Sequence, residues 1–167
     1  MPMAITIVRG NPVATAGDPP AVGSPLPPLT LTLPDLSDVT LDDYAGRNLV
    51  FNIFPSIDTR VCALTVRRFN ELAAGLPDTT VLCVSHDLPF ALGRFCGAEG
   101  IENVVVASAF RSSFGQDYGL TLTDSVMRGL LARTVIVAGA DGVVRHVQIT
   151  ESTSDEPDYD AAVAALS

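Results

Sequence analysis

Residues 49–62 read LVFNIFPSIDTRVC and join a strand to a helix. Residues 49–54 are nearly all apolar, which is typical of a β-strand buried on both of its faces. Over residues 61–76 the apolar positions recur at helical spacing, with Val66 and Phe69 on one side and arginines on the other. A buried strand that leads through a short loop into an amphipathic helix is the basic unit of α/β proteins.

The same alternation continues to the end of the chain. Further strands are predicted at 80–85, 104–107, 134–138 and 143–149, and further helices from about 88 to 97, at 112–118 and at 158–166. Asp87 is positioned to cap the second helix and Gly97 to end it. The turn residues Ala140-Asp141-Gly142 join the last two strands as a hairpin. This order predicts an α/β fold in which a central mixed β-sheet is flanked by helices.

Residues 1–28 form a lead-in to this alternation. Residues 4–8 and 13–15 predict an N-terminal β-hairpin with its turn at Gly10-Asn11. Residues 18–28 carry five of the twelve prolines, which favours an extended segment over a helix. Because 167 residues is an ordinary length for one domain, we expect residues 1–167 to fold as a single unit.

Composition excludes several classes of function. The ten basic residues are all arginine and are outnumbered by nineteen acidic ones, so nucleic acids and anionic membranes are poor partners. The absence of lysine excludes Schiff-base chemistry, and two histidines are too few for a zinc site of the usual spacing. No stretch approaches the ~18 consecutive apolar residues of a transmembrane helix. We therefore expect neither a nucleic-acid nor a membrane partner.

Cysteine usage indicates a reducing compartment. Three cysteines is an odd number, which argues against a secreted disulfide scaffold. Residues 1–10 lack the charged and apolar regions of a secretory signal. We therefore expect a cytoplasmic protein.

Cys62 carries the strongest chemical signal. It lies at the predicted N-terminus of the first helix, where free backbone N–H groups and the helix dipole stabilise an anion such as a thiolate. Pro55 stiffens the loop before it, and Thr59 supplies a hydroxyl for the sulfur or for a substrate oxygen. A small buried cysteine at a helix start is also common in protein cores. On spacing alone, the catalytic and the structural interpretations are equally supported.

The segment FPSIDTRVC at 54–62, with the pattern P-x-x-x-T-x-x-C, resembles the peroxidatic-cysteine motif of the peroxiredoxins. The similarity extends to the atypical two-cysteine peroxiredoxins of the bacterial thiol peroxidase subfamily. Its further blocks are GNPV at 10–13, DLSDVTL at 35–41, NIFPSIDT at 52–59, RFCGAEG at 94–100, GLLAR at 129–133 and EPDY at 156–159. Together these blocks cover nearly the whole chain.

This resemblance implies a thioredoxin-like fold with an N-terminal β-hairpin. It makes Cys62 the nucleophile and Cys96 the resolving cysteine, and it puts Thr59, Pro55 and Arg133 around Cys62. The implied reaction reduces hydrogen peroxide or an organic hydroperoxide, through a Cys62 sulfenic acid and a Cys62–Cys96 disulfide. Thioredoxin or a similar dithiol reopens that disulfide. No metal or organic cofactor is required, and the family implies a homodimer.

Several of these residues also have a simpler interpretation. Arg133 precedes an apolar strand, where an arginine can stay partly wet and pair with a surface acid. Cys96 lies just before Gly97, at a helix end that can fray and let the sulfur move, but a buried packing cysteine is the alternative. Arg60 departs from the small residue or proline that is common in the family, either as a second cation near Cys62 or as a solvated arginine.

The remaining cysteine and the histidines are expected to be structural. Cys83 lies within a predicted strand among apolar neighbours, and we expect it in the core. His86 and His146 raise the alternative of a cysteine protease, but no protease signature surrounds Cys62. Two other classes remain open. One is a thioredoxin-fold thiol-disulfide oxidoreductase without peroxidase activity, against which the lack of a C-x-x-C motif counts, and the other is a catalytically silent binding module.

Overall fold

The computed structural model describes residues 4–167 of the chain. Its strands are β1 (Ile5–Val8), β2 (Asn11–Ala14), β3 (Thr30–Thr32), β4 (Asp38–Thr40), β5 (Asn48–Ile53), β6 (Thr79–Ser85), β7 (Val105–Ser108), β8 (Thr134–Ala138) and β9 (Val144–Ile149). Its helices are α1 (Arg60–Ala73), α2 (Pro89–Glu99), α3 (Phe114–Asp117) and α4 (Tyr159–Ala164), and Leu41–Tyr44 form one turn of 3-10 helix. None of the helices in residues 4–167 is long and apolar enough to cross a membrane.

Seven of the strands form one mixed sheet in the order β4-β3-β7-β6-β5-β8-β9. Strands β5, β6 and β7 run parallel, β8 pairs antiparallel with β5, and β9 pairs antiparallel with β8. Strands β1 and β2 form a separate antiparallel hairpin at the N-terminus. The predicted α/β class, the mixed sheet and the N-terminal hairpin are therefore confirmed.

Strands β3 and β4 are absent from the sequence-based prediction. Each has only three residues, which is too few to show an alternating pattern. They pair antiparallel with one another, and β3 also pairs with β7 through Thr32 opposite Ser108. These strands exist because β7 offers a backbone partner to β3, and β3 in turn offers one to β4, a long-range condition that local sequence does not encode.

The seven-stranded sheet separates two apolar layers. Side chains alternate along β5, so that Leu49, Phe51 and Ile53 pack on one side together with Phe114 and Tyr118. The other side carries the alternate residues of the same strands and is covered by α1, α2 and α4. This second layer also contains the three cysteines, which therefore lie on one side of the sheet.

Both predicted ends of the second helix are wrong. Asp87 does not cap α2; Leu88 occupies the N-cap position, and Pro89 is the first helical residue. Gly97 does not end α2, because the helix continues to the residue before Gly100. Gly100 has a φ of 66°, a left-handed conformation that a residue without a side chain adopts most easily. The bounds of the other helices differ from the prediction by a few residues at most.

The N-terminal hairpin turns one residue earlier than predicted. Arg9 and Gly10, rather than Gly10-Asn11, are the turn residues, with φ values of 48° and 84°. Positive φ at both central residues fits the type I′ turn, whose twist matches that of the flanking strands. An arginine is unusual there, because its side chain disfavours the left-handed region.

Cys83 is a core residue, as predicted. It lies in β6 with none of its surface exposed, and the side-chain amide of Asn52 donates a hydrogen bond to its sulfur at 3.6 Å. Burial raises the pKa of the Cys83 thiol to about 12. The folded protein therefore keeps this thiol protonated at pH values where an exposed cysteine, with a pKa of ~8.5, loses its proton.

This difference predicts a loss of stability at alkaline pH. The contribution of Cys83 is complete below about pH 8.5 and falls as the pH rises toward about 12, because only the unfolded chain releases the proton. Within that window, Cys83 alone should lower the free energy of unfolding by up to about 1.4 kcal/mol per pH unit. Cys83→Ala should remove this part of the slope, while losing about 1–2 kcal/mol at neutral pH through the missing sulfur.

Denaturant unfolding of the wild type and Cys83→Ala, reduced and at several pH values across this window, measures the difference. Cys62 and Cys96 are present in both proteins, so their own titration cancels in the comparison. Parallel pH dependence of the two proteins would contradict the assignment of the slope to Cys83.

Candidate active site

Cys62 lies in the first turn of α1 with its side chain fully buried. Thr59 is the N-cap residue of that helix, and its hydroxyl oxygen accepts a hydrogen bond from the Cys62 backbone N–H at 3.4 Å. The same hydroxyl donates to the Ser56 carbonyl at 3.1 Å, which ties the cap to the preceding loop. The start of α1 therefore holds the cysteine where backbone N–H groups and the helix dipole favour an anion.

Arg133 is the charged partner of Cys62. Its Nη2 donates a hydrogen bond to the Cys62 sulfur at 3.1 Å. Only 2% of Arg133 is exposed, and it forms no ion pair with a carboxylate of residues 4–167. The alternative of a partly solvated arginine paired with a surface acid is therefore wrong. A guanidinium keeps its charge in proteins and is costly to bury alone, so the sulfur is an important polar partner for the buried Arg133.

The N-terminal hairpin orients Arg133 through the segment that follows β9. The Ile7 N–H donates to the Glu151 carbonyl at 2.8 Å, and the Thr153 N–H donates to the Ile7 carbonyl at 3.0 Å. The Thr153 carbonyl in turn accepts a hydrogen bond from Arg133 Nε at 3.0 Å. Arg133 Nη1 is buried and has no hydrogen-bond partner within residues 4–167. The guanidinium is thus fixed by two of its nitrogens, and the third has no partner among the described residues.

A cavity of about 340 Å³ lies beside the residues that hydrogen-bond to Cys62, while Cys62 itself is fully buried and does not line it. Pro55, Thr59 and Arg133 line it, so the structure brings together the three residues that the resemblance puts around the cysteine. Thr59 and Arg133 are both hydrogen-bonded to Cys62. A molecule in this cavity is therefore in contact with Thr59 and Arg133, the two residues that are hydrogen-bonded to Cys62.

Cys96 does not line this cavity. It lies in the last turn of α2, half-buried, and packs against the apolar layer that contains Cys62 and Cys83. Burial raises the pKa of the Cys96 thiol above its usual value. Cys62 and Cys96 are free thiols on different helices, and a bond between them would bring their sulfurs to ~2.05 Å, so at least one of the two side chains has to move.

The histidines do not contribute to the site. His86 Nδ1 lies 2.8 Å from the carbonyl oxygen of Gly129, and His146 lies on β9 with its Nε2 buried and unpartnered among the described residues. Neither one hydrogen-bonds to Cys62 in that part of the chain, which removes the support for a cysteine protease. Within residues 4–167, no group of three or more His, Cys, Asp or Glu side chains could hold a metal ion.

Asp87 anchors the loop before Cys62, a role that sequence reasoning missed. Its Oδ2 accepts hydrogen bonds from the Ile57 backbone N–H at 2.7 Å and from the Ser85 hydroxyl at 2.6 Å. Its Oδ1 accepts from the Ser56 hydroxyl at 3.2 Å. The loop is thereby tied to the end of β6. The available signal was an acidic residue just after a buried strand, at the sheet edge where the loop after β5 also emerges.

Comparison with known proteins identifies the family. Residues 21–163 match the redoxin family. The chain is 57% identical to a thiol peroxidase of Corynebacterium glutamicum and 56% identical to one of Mycobacterium tuberculosis. Each similarity covers 98% of this chain and 99% of the relative. The chain therefore belongs to the redoxin family, and its resemblance to the thiol peroxidases is confirmed.

Solved structures share its fold. A peroxiredoxin-like protein from Aquifex aeolicus superposes with a TM-score of 0.92 at 36% identity, covering 97% of this chain and 95% of that protein. A thiol peroxidase from Chromobacterium violaceum superposes with a TM-score of 0.90 at 23% identity, covering 98% and 96%. The second likeness concerns the fold alone. The thioredoxin-like fold that the motif implies is therefore confirmed.

Because Asp87 holds the loop before Cys62, we expect its substitution to loosen that loop. Asp87→Ala removes every acceptor of the Ile57 N–H and should lower the free energy of unfolding by about 1–3 kcal/mol. Asp87→Asn should recover part of this loss, because an amide oxygen still accepts from that N–H. Hydrogen exchange of the Ile57 amide should be faster in Asp87→Ala.

The matched control is Asp58→Ala. Asp58 is exposed and makes only a 3.5 Å ion pair with Arg94, so its removal should change stability by less than about 0.5 kcal/mol. Equal protection of the Ile57 amide in the wild type and Asp87→Ala would show that the carboxylate does not hold the loop.

Proposed function

We propose that the protein is a thiol peroxidase, which reduces hydrogen peroxide and organic hydroperoxides with Cys62 as the nucleophile. The observation that carries this proposal is the 3.1 Å hydrogen bond from buried Arg133 to the Cys62 sulfur, beside a cavity. A cation held against a thiol at a helix N-terminus stabilises the thiolate, which is the reactive form of cysteine. The thiol peroxidases that are similar over nearly the whole chain support the same reaction.

The reaction begins when the Cys62 thiolate attacks one oxygen of the hydroperoxide ROOH. An S–O bond forms as the O–O bond breaks, the leaving RO⁻ takes up a proton to become ROH, and Cys62 becomes a sulfenic acid. The Cys96 thiol then attacks the Cys62 sulfur, and its hydrogen leaves with the hydroxyl group as water. The resulting Cys62–Cys96 disulfide is reduced by an external dithiol, which is itself oxidised and regenerates both thiols.

Arg133 contributes more than ionisation in this scheme. An ordinary cysteine, with a pKa of ~8.5, is a few per cent thiolate at neutral pH, so complete ionisation gains only about 30-fold. Enzymes accelerate reactions by ~10⁶-fold or more, so contacts made in the transition state have to supply the larger part. The unpartnered Arg133 Nη1 is a donor that can hold a peroxide oxygen as the O–O bond breaks. The Thr59 hydroxyl, whose hydrogen is given to the Ser56 carbonyl, can accept the O–H of the hydroperoxide.

The end of α2 that carries Cys96 is weak. Gly93 and Gly97 lie inside this helix, and each lowers its stability by up to ~1 kcal/mol relative to alanine. The residues that follow Cys96 up to Gly100 are exposed. The last turn of α2 can therefore unfold at low cost, which a resolving cysteine needs in order to reach the sulfenic acid.

The same proposal extends to the partners and the compartment. The reductant is a dithiol protein such as thioredoxin, and the compartment is the cytoplasm, where thiols stay reduced. The assembly is a homodimer. Leu88, Phe90 and Phe110 support this assembly, because they are 55%, 67% and 42% exposed beyond the carboxyl ends of β6 and β7, at the same end of the sheet as the Cys62 loop.

Peroxide consumption by the whole protein, with thioredoxin as electron donor, tests this function. We expect turnover by the wild type, none by Cys62→Ser, and near-normal turnover by Cys83→Ser, whose position lies outside the proposed cycle. Cys96→Ser should react once with peroxide and then stop. Peptide mapping of the oxidised wild type should find a Cys62–Cys96 disulfide, and sedimentation velocity should find a dimer. Peroxide consumption that survives Cys62→Ser would contradict the proposal, as would disulfide reduction without peroxide consumption.

Arg133 predicts a rate loss that high pH does not repair. If this arginine only favoured ionisation, Arg133→Ala would lose at most about 30-fold and recover as the pH rises. We expect a loss of about 10²–10³-fold that persists at high pH, because the peroxide loses a fixed donor. Arg133→Lys should recover little of it, since an ammonium lacks the planar two-pronged geometry of a guanidinium.

Second-order rates of Cys62 oxidation against pH measure this effect. The control is Arg47→Ala, which removes the same charge beside the opposite end of β5 and should keep the wild-type rate. If the oxidation rates of the Arg133 variants reached the wild-type rate at high pH, Arg133 would act only by favouring ionisation of the thiol, and the proposed contact with the peroxide would be contradicted.

A further inference from the structure

The cavity that Thr59 and Arg133 line has more room than a peroxide group needs. Its volume of about 340 Å³ compares with roughly 30 Å³ for one water molecule in the liquid, and hydrogen peroxide is only slightly larger. Val61 and Met127 line the cavity together with Pro55, so part of its wall is apolar. The site can therefore hold an organic hydroperoxide with a carbon chain.

The cavity is positively charged although the protein is acidic. Arg9, Arg60 and Arg133 line it, and no aspartate or glutamate of residues 4–167 does, while the whole chain has a net charge of −9. Arg133 is buried and engaged with Cys62. Arg9 and Arg60 are exposed, so they lie at the end of the cavity that opens to solvent.

Arg9 and Arg60 also lack protein partners. Four other arginines pair with carboxylates: Arg67, Arg68, Arg94 and Arg111. The guanidinium groups of Arg9 and Arg60 form neither an ion pair nor a hydrogen bond with any residue between 4 and 167. The chain has nineteen acidic and ten basic residues, so most arginines could find a carboxylate partner. Two unpaired guanidinium groups at one cavity are therefore available to bind an anion from solution.

Both arginines occupy positions that local structure disfavours. Arg9 has a φ of 48° in a hairpin turn, where glycine, asparagine and aspartate are preferred. Arg60 is the first residue of α1, where the positive end of the helix dipole repels a cation. Residues that break a local rule without a structural benefit are expected at functional positions.

We propose that Arg9 and Arg60 form an anion subsite at the mouth of this cavity, which selects hydroperoxides that carry a carboxylate at the far end of an apolar chain. The hydroperoxide group lies beside Cys62 and Arg133, and the chain contacts Val61 and Met127. The carboxylate binds the exposed guanidinium groups. This inference rests on the proposed peroxidase function: the subsite decides which hydroperoxide is bound and takes no part in breaking the O–O bond.

The test compares a medium-chain hydroperoxy acid with its methyl ester, which differ in charge at one end only. At neutral pH and low salt, we expect the acid to oxidise Cys62 of the wild type about 3- to 10-fold faster, since two exposed ion pairs each contribute a factor of a few. Added salt should reduce this preference, because ions screen exposed charges. The acid-to-ester ratio is the readout, so a general change in Cys62 reactivity cancels.

The double variant Arg9→Gln/Arg60→Gln should bring this ratio to about one, and each single substitution should lower it part of the way. The matched control is Arg145→Gln, an exposed arginine outside the cavity lining, which should keep the wild-type ratio. A wild-type ratio of one, or a preference that survives the double substitution, would overturn the anion subsite alone. If neither hydroperoxide oxidised Cys62, the peroxidase function itself would be overturned.

Discussion

The buried hydrogen bond between Arg133 and Cys62 is the interaction on which the site depends. A guanidinium cannot give up its charge in a protein, and burying that charge without an opposite one costs several kcal/mol. Arg133 has no carboxylate partner within residues 4–167, so the sulfur, 3.1 Å from its Nη2, is the group that can neutralise it. The burial of Arg133 and the position of the Cys62 sulfur therefore depend on the same hydrogen bond.

Three distant parts of the chain hold this contact. Thr59 caps α1, and its hydroxyl oxygen accepts a hydrogen bond from the Cys62 backbone N–H. Asp87 ties the loop before this cap to the end of β6. The N-terminal hairpin bonds to the segment after β9, whose Thr153 carbonyl orients the guanidinium of Arg133. The hairpin lies outside the seven-stranded sheet, yet it sets the direction of Arg133 and, through Arg9, contributes to the mouth of the cavity.

The proposed cycle demands opposite mechanical properties from the helices that carry its two cysteines. Cys62 has to stay fixed against Arg133, because small misplacements of a nucleophile reduce the rate strongly. Cys96 has to leave its place. Helix α1 has 14 residues and a side-chain cap, whereas α2 has no side-chain cap and contains two glycines. Both helices pack on the same apolar layer of the sheet. In the proposed cycle, the lower local stability of α2 lets its end open while α1 keeps its position.

The sequence by itself determined most of the order of strands and helices, because apolar periodicity and turn residues are local properties. It also determined the N-terminal hairpin and the helix that begins beside Cys62. The motif around Cys62 also identified the family. The family resemblance put Arg133 near Cys62, although the local pattern shows only an arginine before an apolar strand. Tertiary structure alone decided that Arg133 is buried without a carboxylate partner among the described residues, and that Asp87, which looks like a helix cap, holds the loop before Cys62. It also created β3 and β4, which exist only through their pairing. The environment of a charged side chain, and the partner of an edge strand, are set by groups that lie far apart in the chain and meet only when several elements pack together.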